Sequence, residues 1–234
     1  MNEQLAHPIA QVVADQARQW LSMKGAARGP RPPIITVSRQ HGAGGGEVAR
    51  RVAGALGFDL FDREIVERVA RSADLSDQLV SGRDERHRDA LTEWVTAFSR
   101  GGYLSPSAYH EHLTRVIGAI AEQGGAVIVG RGAHLILGSG RALRVSVVAP
   151  LALRIATVAR REDLSEGNAR RRVMEVEAER RQFLTAHFHA ECIDASTFDL
   201  VVNTGVLGLA GAAGAICAAL TMLPPFAGTA GVAA

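Results

Sequence analysis

The chain has 234 residues, 47% apolar and 21% charged, with a formal net charge of +2. That apolar share supplies a full core for one domain with a small insert, which excludes a disordered tail, a collagenous fibre and a disulfide-stapled miniprotein. A net charge so near zero gives no field that would draw the chain to nucleic acid. Of its 26 basic residues only Lys24 is a lysine, so other cationic tasks fall to arginine.

Leu5, Ile9, Val12, Val13 and Leu21 recur near helical spacing and predict a helix over 4–24, an appendage and the expected contact of a homodimer. The breaker-rich stretch GAARGPRPP makes residues 25–33 a linker, so 1–33 stand before the core, which spans 34–222. The β-branched run Ile34–Val37 ends near a glycine cluster, Gly42-Ala43-Gly44-Gly45-Gly46, and Val48, Val52, Ala55 and Leu56 then mark one helical face. Strand, glycine turn and helix open a nucleotide-binding α/β domain. Residues 57–62 read as a turn and a short strand, and Arg63 starts another helix. The polar stretch that follows, about 72–125, reads as a helical excursion that ends in a helix from Ala108 to Gln123.

Further strands are predicted at Ala126–Val129, Leu143–Val148 and Phe198–Val202, with helices over Leu151–Arg161 and Ser165–His187. Gly205–Leu223 is uncharged and about as long as a membrane span needs. Its Ala/Gly make-up, with no aromatic or basic belt at its flanks, makes it a last helix packed on a sheet. A flexible tail is expected over 223–234. Alternating strands and helices predict an α/β fold, a parallel sheet covered by helices on both faces.

Cys192 and Cys217 fit neither a zinc spacing nor a disulfide framework. Reduced thiols and a start unlike a signal peptide lead to a cytoplasmic protein with no membrane partner. His187, His189, Glu191 and Cys192 read as a surface loop with no metal site, and Trp20 and Trp94 as packing residues.

In open α/β sheets ligands bind beyond the carboxyl ends of the strands. The residues there are Ser38-Arg39-Gln40-His41-Gly42, Asp62-Arg63-Glu64, Gly130-Arg131-Gly132, Ala149-Pro150 and Asn203-Thr204-Gly205. Three of these five positions carry arginine, which suits a polyanion such as a nucleotide phosphate. The glycine turn suits it too, because glycines let successive backbone N–H groups approach a phosphate and the following helix adds its positive end. The standard phosphate loop is G-x-x-x-x-G-K-[ST]. With Gly44 as its second glycine, the first position holds Arg39, the lysine position Gly45 and the hydroxyl position Gly46. Arg39 is therefore expected to reach back over the loop and partly replace the lysine. Arg160, Arg161, Arg170, Arg171, Arg172, Arg180 and Arg181 lie among acidic residues. Most of them read as a solvated, ion-paired face, and two or three as charge for phosphoryl transfer.

Taken together, ITVSRQHGAGGGEVARRVAGALGFDLFDREIV, VIVGRGAHLIL, APLALRIATVARRE and FDLVVNTGVLGL resemble the cytidylate kinase-like family of P-loop nucleotide kinases, over roughly Ile34–Leu220. The Ser-Arg-Gln-aromatic-Gly loop without lysine is a trait of that family. His41 stands where its members carry Tyr or Phe, and Glu177 where they carry Asp. The resemblance implies a P-loop kinase-like fold with a helical acceptor-binding insert and an arginine-rich lid at about 160–190. It implies ATP phosphates held by Ser38, Arg39, Gly42, Ala43, Gly44, Gly45 and Gly46, an acceptor bound by Asp62, Arg63, Gly130 and Arg131, and catalytic charge from Arg39, Arg161 and Arg180. The activity implied is Mg2+- and ATP-dependent phosphorylation of a pyrimidine monophosphate such as CMP. The alternative is a catalytically weak or inactive nucleotide-binding regulatory module.

Overall fold

The computed structural model describes residues 32–62, 106–190 and 194–222. The expected helix 4–24, most of the linker, Arg63, most of the insert, Trp20, Trp94, Glu191, Cys192 and the C-terminal tail lie outside those residues. The chain divides into two compact units, residues 1–31 with 64–123 and residues 32–63 with 124–234.

In chain order the helices and strands are β1 (Ile34–Arg39), α1 (Gly45–Leu56), β2 (Asp59–Phe61), α2 (Pro106–Gln123), β3 (Ala126–Val129), α3 (Ala133–Leu137), β4 (Leu143–Val148), α4 (Leu151–Glu162), α5 (Glu166–Phe188), β5 (Leu200–Asn203) and α6 (Thr204–Met222). Helix α2 is the described part of the first unit. It buries Leu113, Val116, Ile117 and Ile120, a single stripe at helical spacing.

The second unit is built on a parallel sheet of order β2-β3-β1-β4-β5. Ile35 lies opposite Val127 and Leu143, and Val37 opposite Val129 and Val145. With strand side chains alternating, that register gathers Ile35, Val37, Val127, Val129, Leu143, Val145, Val147 and Val202 on one face. Val48, Ala49 and Val52 of α1 and Ala212, Ala213 and Ile216 of α6 close over them in one buried cluster. The alternate residues Ile34, Thr36, Ile128 and Ser146 are buried as well. Burial on both faces is why these strands read as nearly unbroken apolar runs. β1 is the switch point: its neighbour is β3 on one side and β4 on the other, so a crevice opens at its carboxyl end.

Several boundaries move from expectation. β1 continues past Val37 to Arg39. β5 begins at Leu200 instead of Phe198, because Asp194 caps a short 3-10 turn, Ala195–Thr197, and the Phe198 N–H donates to the Ala195 carbonyl. The short helix α3 had no sequence signal. His187 belongs to α5 and His189 caps it, so a helix end stands where a surface loop was expected. α6 packs on the sheet through the cluster above, although Gly208 interrupts it and Val206 is exposed. By length and composition α6 could cross a membrane.

Helices α4 and α5 form a hairpin. Asp163 ends α4 in a left-handed conformation (φ 52), and the Ser165 hydroxyl caps α5 by accepting from the Asn168 N–H. Ile155, Val158, Ala169 and Val173 seal the pair.

Candidate functional site

The glycine loop joins the end of β1 to the start of α1. Three contacts fix it: the Gln40 N–H donates to the Val147 carbonyl (3.0 Å), the Gln40 side-chain oxygen accepts from the Ala149 N–H (3.1 Å), and the Thr204 hydroxyl donates to the Ala43 carbonyl (2.8 Å). Gly42 has φ +83, and a Cβ there would lie 2.5 Å from the Arg154 carbonyl oxygen; at Gly45 it would lie 2.4 Å from Arg39 Cβ. Close packing thus requires these glycines independently of any ligand. Gly44 caps α1 with no side-chain hydrogen bond, which leaves the first-turn amides and the positive helix end directed at the strand ends.

Arginines converge beside the loop. The stem of Arg39 passes Gly45 and its guanidinium lies against Gly130, at the end of β3, a different course from the expected reach back over the loop. Crowding explains the direction, since the Arg39 stem is boxed in by Gly45 and the bare Gly130 leaves room for the head group. Arg180 Nη1 donates to the Arg39 carbonyl (2.9 Å). The Arg131 guanidinium sits 4.8 Å from the Phe183 ring centroid, a cation–π contact that holds it at the β3 end. Ser38, Arg39, Gly130, Arg131, Arg180, Arg181 and Phe183 line one cavity of about 230 Å3.

The other expected site residues are placed differently. Arg161 pairs with Glu162 and its side chain is 56% exposed, outside that lining. Asp62 follows β2, which β3 separates from β1, and it is not among the described lining residues. Gly46 has open space around it, and Glu47 beside it is engaged by Arg50 and Arg51.

His41, Arg154 and Glu177 form a second layer of the site. The His41 N–H donates to Glu177 Oε1, and the same oxygen lies 3.7 Å from Arg154 Nη1 and 3.6 Å from Arg180 Nη1. Arg154 is buried and donates from Nε to the Ala149 carbonyl (3.1 Å). Burial pushes the His41 imidazole down to about 4, with the Arg180 and Arg161 guanidiniums adding to the effect. The ring is therefore neutral at pH 7, and its 3.9 Å approach to Glu162 is no ion pair there. The Glu162 carboxyl is held below its usual range, chiefly by the hydrogen bond from Arg161.

The Glu177 contact with the loop, Arg154 and Phe183 were not expected from the sequence. Arg154 had a readable signal: it stands four residues after Pro150, which closes the turn following β4. Helix α5 crosses the strand ends with a cavity on either side. The larger, about 440 Å3, lies toward β4 and β5 and shares Glu177 and Arg181 with the first. Chemically, the smaller cavity gathers several guanidiniums, an arrangement that neutralises and orients a polyanion; it adjoins the loop at Ser38 and Arg39, and Gly42 to Gly46 are not among its described lining residues.

A profile of the cytidylate kinase-like family matches residues 34–206. Among solved structures, an uncharacterized protein from Eubacterium ventriosum is similar at 19% identity and a TM-score of 0.63, covering 82% of this chain and 99% of that one. TT1252 from Thermus thermophilus is 22% identical with a TM-score of 0.46, covering 81% of this chain and 98% of its own. A shikimate kinase from Acinetobacter baumannii in complex with shikimate is 16% identical with a TM-score of 0.42, covering 82% and 92%. No curated protein matches the chain.

Proposed function

The chain belongs to the cytidylate kinase-like family, and on that footing we propose that it is a phosphotransferase moving the terminal phosphoryl group of ATP to a nucleoside monophosphate, a pyrimidine such as CMP. The observation that carries this reading is the gathering of Arg39, Arg131 and Arg180 in one cavity beside the glycine loop. In the transfer, the bond from the terminal phosphorus to the bridging oxygen of ADP breaks and a bond to an acceptor phosphate oxygen forms. That acceptor is already an anion, so the step needs charge neutralisation and alignment more than a general base. The first-turn amides of α1 would hold the triphosphate, Arg39 and Arg180 the migrating charge, and Gly130 and Arg131 the acceptor phosphate. Asp62 remains the acceptor contact that the family pattern assigns.

Mg2+ would arrive with ATP, bound to phosphate oxygens. The loop itself does not fit a metal, because Gly46 offers no hydroxyl and the Glu47 carboxylate is taken by Arg50 and Arg51.

A second reading, a nucleotide-binding module without turnover, draws support from Gly45 and Gly46, which stand at the lysine and hydroxyl positions of the standard loop. A coupled assay with Mg-ATP and each nucleoside monophosphate, run beside calorimetry, separates the two. ADP formation that depends on a pyrimidine monophosphate supports the transferase. ATP uptake without turnover for every acceptor selects the module, and no uptake of ATP rejects both.

A further inference from the structure

Helix α5 carries an inward stripe, Ala169, Val173, Val176, Glu177 and Arg180, at three- and four-residue intervals. Its apolar members pack as such a stripe must. Glu177 is the exception, a carboxylate directed at a backbone N–H that lies 136 residues away in sequence. One of its oxygens meets the His41 amide and approaches two guanidiniums, Arg154 and Arg180. An amide and two guanidiniums around one anionic oxygen is the coordination a loop of this kind gives a phosphate oxygen.

We propose that Glu177 is an internal ligand of the glycine loop: its carboxylate takes the position of a phosphate oxygen, and a polyphosphate must displace it to bind. This rests on the nucleotide reading above and adds a residue that sets which anions the loop accepts. Glutamate has the reach for the task, one methylene longer than aspartate. The linkage is simple competition, in which apparent affinity is the intrinsic affinity multiplied by the fraction of time the loop is open. A contact closed about nine-tenths of the time weakens binding about tenfold. A polyphosphate overcomes this by gaining several amides and guanidiniums at once, whereas a monoanion gains too few.

The test uses the full chain and inorganic tripolyphosphate at matched ionic strength, with wild type, Glu177→Gln and Glu179→Gln compared by calorimetry. Glu179 borders the same cavity, so its variant removes equal charge and reports the electrostatic gain alone. Glu177→Gln is expected to bind tripolyphosphate about five- to tenfold more tightly than Glu179→Gln. In ligand-free Glu177→Ala, which removes the acceptor that glutamine would keep, the His41 amide is expected to exchange with solvent faster than in wild type. Equal gains in the two variants, weaker binding by Glu177→Gln, or unchanged exchange at His41 would each overturn the internal ligand while leaving the nucleotide reading intact. No uptake by any of the three proteins overturns the nucleotide reading and the competition with it.

Discussion

The two halves of α5 carry similar charges, two Glu and three Arg against two Glu and two Arg, with opposite fates. From Glu166 to Glu175 the charged side chains face solvent: Arg170, Arg171 and Glu175 are exposed, and Arg171 reaches only Asn168 on its own helix (2.6 Å). This half is held to α4 by Ala169 and Val173, with Arg172 Nε 3.7 Å from Glu162 at the end of α4. From Val176 onward the same residue types turn toward the strand ends. Glu177 meets His41, Arg180 meets Arg39, Phe183 faces Arg131, and Phe188 lies against Gly132. A charge is therefore solvated or directed at the strand ends according to where its helix turn lands on the sheet, and the local sequence does not record that.

The sharpest way to break this contrast is to remove one charge from each half. Arg180→Ala is expected to lower turnover of ATP and a pyrimidine monophosphate by about 10²–10³-fold, the cost of losing one preorganised charge partner. A decrease smaller than fivefold in steady-state assays would place Arg180 with the solvated group.

Packing in the first half gives the next effect. Val173→Ala removes two buried carbons at the α4–α5 contact and is expected to destabilise the protein by about 2 kcal/mol in urea unfolding. An unchanged midpoint would mean that the hairpin does not rely on that contact.

Acid titration probes two buried imidazoles outside α5, one of them on the loop that its second half meets. His41 and His134 are both depressed to about 4 from an ordinary value near 6.5, His134 by burial with the Arg144 guanidinium adding to it. The unfolded chain then binds protons that the folded one refuses. Stability is full above about pH 6.5 and falls as pH drops toward 4. Replacing His134 with Asn, which does not titrate, should reduce that slope between pH 7 and pH 5; an equal slope contradicts the buried neutral ring.

The smallest effect is predicted for Arg171→Ala. Turnover should be unchanged and stability should stay within about 0.5 kcal/mol, as for surface substitutions in general. A larger loss would show that the solvated half has an undetected role.

The sheet was legible because parallel strands buried on both faces must be apolar runs, and β3 and β4 fall where Ala126–Val129 and Leu143–Val148 read as strands. The glycine turn was legible because few residues other than glycine tolerate the positive φ at Gly42 and Gly44. The course of Arg39 was not, since it depends on the space left at Gly130 by a strand that sequence places far away. Nor was the Glu177–His41 contact, because helical periodicity gives the face of α5 but not the amide opposite it. Arg131 adopts left-handed backbone without being glycine, a conformation imposed by the strand-end turn that its own residue preference does not announce.

Polyanion capture by the loop and its arginines underlies the proposed transfer. Following backbone amide resonances during an ATP titration tests that claim directly. The largest saturable shifts are predicted at Gly44, Gly45, Gly46 and His41, with the Arg180 side chain moving in step. Saturation that leaves those amides unmoved, or no saturation at any ATP concentration, would contradict it.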